Sequence, residues 1–140
     1  MVPNPYQQYQ KNKIETADPK QLIFMLYDGA LKHLKKGRLC LEKKDWEGTN
    51  NNLGKVQDII SELMGSLDLE AGELAENLFR LYEFMHYRLV QANIEKNLSY
   101  IDEVDGLLTS LRQTWQEALQ GQESLPGSGG NDRSRVNVSG

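Results

Sequence analysis

The sequence has few of the residues that build disulfides, membrane spans or leader segments. Its 140 residues include a single cysteine, Cys40, so no internal disulfide can form and nothing indicates an oxidising compartment. No apolar run approaches the roughly 18 residues that identify a membrane-spanning helix. The N-terminus lacks the basic and apolar regions of a signal peptide. These absences predict a cytoplasmic protein with no membrane-inserted segment.

Catalytic and metal-binding motifs are also scarce. Glu83 and His86 have the spacing of half a carboxylate-bridged di-iron motif, but Ala30 stands where a second such motif before His33 would need a glutamate. No glycine-rich phosphate loop or recognisable nucleophile motif occurs. We therefore predict no enzymatic activity, no cofactor and no metal. A metal-dependent bundle enzyme built on Glu83 and His86 is the alternative that metal analysis would test.

An overall surplus of basic charge is missing as well. The net charge is −4 and the pI is about 5.2, which argues against a nucleic-acid partner. One local cluster is basic: Lys32, Lys35, Lys36, Arg38, Lys43 and Lys44. Because no aromatic residues are interleaved with it, this cluster is interpreted as a solvated helix face.

What the sequence does contain is four amphipathic helical segments. The first begins at Asp18-Pro19 and ends near 41–44, and the others span about 46–68, 73–96 and 98–120. Short connections between helices of this length predict an all-α, antiparallel four-helix bundle. We assign residues 17–120 to the bundle. Residues 1–16 are a short segment or helix packed on it, and the glycine-rich residues 121–140 are a disordered tail.

The first and third segments carry more apolar residues than one bundle stripe requires. Six consecutive apolar residues, 22–27, cover more than a helical turn, and Phe24, Met25 and Leu31 fall outside the main stripe. Phe79, Tyr87 and Val90 do the same in the third segment. A second apolar stripe indicates either an interaction surface for a partner helix or a thick core covered by the N-terminal segment.

Motifs along the chain resemble the flagellar secretion chaperone FliS family over residues 4–120. They are Asn4-Pro5-Tyr6-x-x-Tyr9, Ala17-Asp18-Pro19-x-x-Leu22, Met25-Leu26-Tyr27-Asp28-Gly29-Ala30-Leu31, Arg88-Leu89-Val90-x-Ala92-Asn93, Glu103-Val104-x-x-Leu107 and Leu111-Arg112-x-x-Trp115-x-x-Ala118. The resemblance implies a cytoplasmic helical bundle that binds the disordered C-terminal region of flagellin. It also implies that binding prevents premature polymerisation and assists delivery to the export gate protein FlhA.

The resemblance also suggests roles for individual residues. Tyr6 and Tyr9 are expected to cover an apolar groove or contact the export gate. The expected client-binding groove consists of second-stripe residues: Phe24, Met25, Leu31, Ile59, Leu63, Phe79, Tyr82, Tyr87 and Val90. Asp28 and Arg88 are expected to pair across helices or contact the client.

The sequence interpretation also includes expectations about the oligomeric state and about further partners. A monomer or weak dimer is expected, and a co-chaperone or regulator is kept as a further candidate partner. The alternative function is a homodimeric helical-bundle interaction module without a flagellar client.

Overall fold

The computed structural model describes residues 18–120, which form four α-helices and one short 3-10 helix. The helices are α1 (Pro19–Glu42), α2 (Trp46–Gly65), α3 (Glu73–Glu95) and α4 (Leu98–Gln120). The predicted all-α, four-helix architecture is confirmed for this range. The predicted cover segment 1–16, with Tyr6 and Tyr9, and the predicted tail 121–140 lie outside the described residues.

The helix starts follow the capping residues in the sequence. Asp18 accepts a hydrogen bond from the backbone N–H of Lys20 at 2.7 Å, and Asp45 accepts one from Gly48 at 3.0 Å. Asn97 accepts a hydrogen bond from the backbone N–H two residues further on, at 2.9 Å, immediately before α4. Each side chain satisfies a donor that the first turn of its helix leaves unpaired.

The connection between α2 and α3 differs from the sequence prediction. α2 ends at Gly65 rather than at 68, and residues Leu69–Ala71 form a 3-10 helix. The apolar Leu67 continues the period of the α2 stripe, but it packs on the core from outside the helix. Gly72 then leads into α3 with a φ of 130°, a conformation that glycine adopts without steric cost.

The four helices form a ring in which α1 and α3 are diagonal. α1 packs against α2 and α4, and α3 packs against the same two helices. Each helix contributes fully buried side chains to one core, for example Leu34, Leu53, Met85 and Leu108. This arrangement leaves the outer face of each helix as the surface on which partners can dock.

A buried polar node joins three of the helices. The Tyr27 and Tyr82 hydroxyl oxygens lie 2.6 Å apart, and the Trp115 indole N–H donates to the Tyr27 oxygen at 2.9 Å. Burial raises the pKa of both tyrosine hydroxyls, so both stay neutral. The node connects α1 with α3 across the bundle and with α4 beside it.

Ion pairs also connect neighbouring helices at the surface. They are Arg112–Asp28 at 2.6 Å, Arg88–Glu103 at 2.8 Å and Arg38–Asp102 at 2.7 Å. Asp28 and Arg88 do not pair with each other as the sequence suggested; each pairs across helices with a residue of α4, Arg112 and Glu103 respectively. Such partly exposed pairs contribute about 0–1 kcal/mol each, so they help to fix geometry more than stability.

Candidate binding surface on helix α3

Three of the residues expected to line a client groove lie in the core. Ile59, Leu63 and Tyr82 are at most 1% exposed. Their assignment to a surface groove is thereby corrected. Ile59 and Leu63 are buried because α2 packs against α1 on one side and against α3 on the other, so its whole wide apolar stripe faces the core. Tyr82 on α3 is buried in the polar node with Tyr27.

The expected groove residues on α1 are half-buried. Phe24 and Leu31 pack against the core, and the Arg112 guanidinium lies over the Phe24 ring, 5.2 Å from its centre. Met25 is also half-buried, and helical spacing places it on a different face of α1 from Phe24. The α1 residues therefore present edges of apolar surface instead of one continuous patch.

The outer face of α3 presents the most exposed apolar side chains of the described bundle. Tyr87 is 58% exposed and Ile94 is 76% exposed. Val90 lies between them and is half-buried, as is Phe79 two turns earlier. Positions 87, 90 and 94 share one helix face because they are spaced by three and four residues. We call Tyr87, Val90 and Ile94 the α3 stripe.

Ile94 was not among the expected groove residues. Its position seven residues after Tyr87 and four after Val90 was the signal that would have identified it. The buried side of α3 includes Leu89 and Ala92, and Ile94 lies on the opposite side of the helix from them. Single exposed apolar residues are common on protein surfaces, but an exposed isoleucine with apolar neighbours on the same helix face is a candidate contact surface.

Polar contacts border the α3 stripe. On the α4 side, the Arg88 guanidinium lies 4.5 Å from the centre of the Tyr100 ring and donates to the Gln91 side chain at 2.8 Å. At the C-terminal end of α3, Lys96 donates to Asn50 at 2.7 Å and lies 5.8 Å from the centre of the exposed Trp46 ring. The stripe is thus a narrow apolar surface between fixed polar side chains, a form that suits an amphipathic partner helix.

Chemistry elsewhere in the described bundle is limited. Within residues 18–120, no group of three or more His, Cys, Asp or Glu side chains is arranged to hold a metal ion. Desolvation, followed by the charge of Asp45, raises the pKa of the Cys40 thiol, which disfavours the reactive thiolate. A polar groove lies beside the C-terminal half of α2. Its described lining residues are Asp58, Ser61, Glu62, Gly65 and Ser66.

The fold and surface together define a class of protein: an all-α, four-helix bundle with an exposed apolar face on one helix. No helix in the described range is long and apolar enough to cross a membrane. Over the whole of this bundle, the chain is similar to bacterial flagellar proteins.

A family model described as flagellar protein FliS matches residues 2–122. The flagellar secretion chaperone FliS of Bacillus subtilis is 40% identical over 130 residues, covering 92% of this chain and 97% of that protein. The protein of the same name from Salmonella typhimurium is 40% identical over 109 residues, covering 76% and 81%. The chain belongs to the FliS family.

A solved structure agrees with this assignment at the level of the fold. The crystal structure of a flagellar chaperone from bacteria superposes with a TM-score of 0.69 and 22% sequence identity, covering 83% of this chain and 95% of that one.

Proposed function

We propose that this chain is a cytoplasmic export chaperone for flagellin and has no enzymatic activity. It binds the C-terminal region of flagellin, prevents premature polymerisation and assists delivery to the export gate protein FlhA. Membership of the FliS family supports the export role, because the matched relatives are named flagellar secretion chaperones. The exposed α3 stripe is the observation that carries the binding role.

The α3 stripe suits a client that folds as it binds. Full burial of a large apolar side chain contributes about 1.5–3 kcal/mol. A disordered segment that becomes helical on binding loses roughly 2–5 kcal/mol to ordering. Burial of Tyr87, Val90 and Ile94 can offset much of that loss. The half-buried Phe24, Met25, Leu31 and Phe79 extend the contact where the client wraps further around the bundle.

The N-terminal segment has a second role in this proposal. Tyr6 and Tyr9 cover the client surface before flagellin arrives, or contact the export gate once the client is loaded. A segment of this length forms little stable helix alone, so a client can displace it at low cost. Deleting residues 1–16 would then tighten client binding in a titration. An unchanged affinity would exclude the covering role.

Circular dichroism tests whether the client folds on the chaperone. A peptide from the C-terminal region of the cognate flagellin is mixed with the full chain, and the far-ultraviolet spectrum is compared with the sum of the separate spectra. We expect helical signal in excess of that sum. A spectrum equal to the sum contradicts coupled folding and binding.

Sedimentation separates the chaperone from the alternative of a homodimeric interaction module. If two copies buried the α3 stripe against each other, a stable dimer would persist after addition of the flagellin peptide. For the chaperone we expect a complex of one chain with one peptide. A persistent dimer that ignores the peptide would favour the homodimeric module.

A further inference from the structure

Helix α1 carries a basic face that the flagellin-binding proposal does not use. Residues 29–41 include four basic side chains and no acidic one. The facing part of α2, residues 48–57, adds Lys55 and likewise contains no acidic residue. In a chain with a net charge of −4, this is a local concentration of positive charge instead of a general property of the surface.

The lysines on this face lack ionic partners in the described structure. All ion pairs found among residues 18–120 are made by arginines, including the pair between Arg38 and Asp102. Lys32 and Lys36 are exposed and Lys55 is half-buried. In the described structure, none of these three ammonium groups lies within ion-pairing distance of a carboxylate.

Three of the lysines lie close in sequence to a contact between α1 and α2: Lys32 and Lys36 are one and three residues from His33, and Lys55 is three residues from Asn52, whose side chain contacts His33. Burial is the main cause of the lowered pKa of His33, and the charges of Lys55, Lys36 and Lys32 lower it further. His33 is fixed in place by a 3.0 Å contact between its Nδ1 and the Asn52 side-chain oxygen. The pKa of the His33 imidazole therefore responds to the charge of these lysines.

An exposed apolar side chain lies on the same helix face. Leu39 is 48% exposed, and positions 32, 36 and 39 follow one another along α1 at spacings of four and three. The face therefore combines lysines with a leucine, a pattern that complements an amphipathic segment bearing carboxylates. The absence of aromatic residues among these positions disfavours stacking with nucleic-acid bases.

We propose that the α1 basic face, formed by Lys32, Lys36, Leu39 and Lys55, binds an acidic and partly apolar segment of a partner protein. The face lies on α1 and the adjoining part of α2, whereas the α3 stripe lies on the helix diagonal to α1. The proposal does not depend on flagellin binding. Asp58 and Glu62 follow on α2, and their charges repel an extended polyanion more than a short acidic segment.

Fluorescence anisotropy with a synthetic peptide tests the proposal on the full chain. The probe is a labelled amphipathic peptide of Glu, Asp and Leu, compared with a version in which Gln and Asn replace the acids. We expect the acidic peptide to bind, the neutral version to bind much more weakly, and added NaCl to weaken the acidic complex. Equal binding of the two peptides overturns the proposal.

Matched charge variants locate the site. Lys32→Gln/Lys36→Gln/Lys55→Gln is expected to weaken acidic-peptide binding by about tenfold, since each surface pair contributes up to about 1 kcal/mol. The control Lys20→Gln/Arg80→Gln/Arg133→Gln removes the same charge at positions outside the basic cluster and keeps the affinity. Equal losses in the two variants mean that net charge alone attracts the peptide and overturn the proposal.

Two further measurements address the occupant and the geometry. A single-stranded oligothymidylate and vesicles containing phosphatidylserine serve as competing probes, and tighter binding of either one overturns the peptide assignment. A nuclear magnetic resonance titration follows the His33 ring with and without the acidic peptide. Neutralisation of the lysines by the peptide raises the pKa of His33, and an unchanged pKa contradicts binding at this face.

Discussion

The α1–α2 seam and the outer face of α3 are opposite extremes of the same bundle. In the seam, a Cβ atom added to Gly37 would lie 3.1 Å from Leu53, and one added to Gly48 would lie 2.6 Å from the Cys40 sulfur. On α3, Tyr87 and Ile94 are more than half exposed. We expect from this contrast that the seam supplies stability, and the exposed face of α3 fits the proposal that a partner binds there.

This contrast follows from where each helix places its small and large residues. Glycines in the seam allow α1 and α2 to approach closely, so packing there leaves little room for change. α3 instead places an apolar row on the side away from the core. A mutation should therefore cost stability in the seam and binding on α3, and the predictions below test that division.

The largest expected effect is the loss of a seam side chain. Leu53→Ala removes a fully buried leucine and should lower the free energy of unfolding by about 2–5 kcal/mol. Ile94→Ala on α3 should change it by less than about 0.5 kcal/mol. Urea unfolding of both variants measures the difference, and equal losses would break the proposed division.

A smaller loss is expected at the buried polar node. Tyr27→Phe removes the oxygen that accepts the Trp115 hydrogen bond and contacts the Tyr82 hydroxyl. Leaving buried polar groups without partners costs about 1–3 kcal/mol. Urea unfolding checks this value, with Tyr100→Phe at a half-buried position as the control. A neutral Tyr27→Phe would show that the node does not stabilise the bundle.

Two glycines of α2 should respond in opposite directions. A Cβ at Gly48 would approach the Asp45 cap and the Cys40 sulfur, so Gly48→Ala should cost about 1 kcal/mol or more. Gly54 has open space, and Gly54→Ala should stabilise by up to about 1 kcal/mol through helix propensity. Thermal unfolding measures both, and a stabilising Gly48→Ala would contradict tight packing in the seam.

Much of the fold could be predicted from the sequence because its signals are local. Asp18 and Asp45 mark helix starts through side chains that bind the adjacent backbone. The surface was harder to predict, since whether Ile59 is core or groove depends on how many helices surround α2. Ile94 was not predicted as a surface residue, because its exposure depends on which face of α3 has no neighbouring helix.

The smallest expected effect on stability concerns pH. Burial lowers the pKa of His33 from its ordinary 6.5, so the unfolded chain takes up a proton more readily than the folded one. The stability linked to neutral His33 is complete above about pH 6.5 and declines as the pH falls toward the folded-state pKa. As the pH falls from about 7.5 to 5.5, the urea midpoint of the native chain should decrease relative to that of His33→Gln. Parallel curves would contradict this linkage.

The most direct test of the central claim is a calorimetric titration with a peptide from the C-terminal region of the cognate flagellin. The native chain is compared with Tyr87→Ser/Ile94→Asn and with Leu39→Asn, which alters an exposed leucine on α1. Binding should weaken about tenfold or more in the α3 variant, from lost apolar burial, and stay unchanged in the α1 variant. Equal affinities for all three proteins would contradict the assignment of client binding to the α3 stripe.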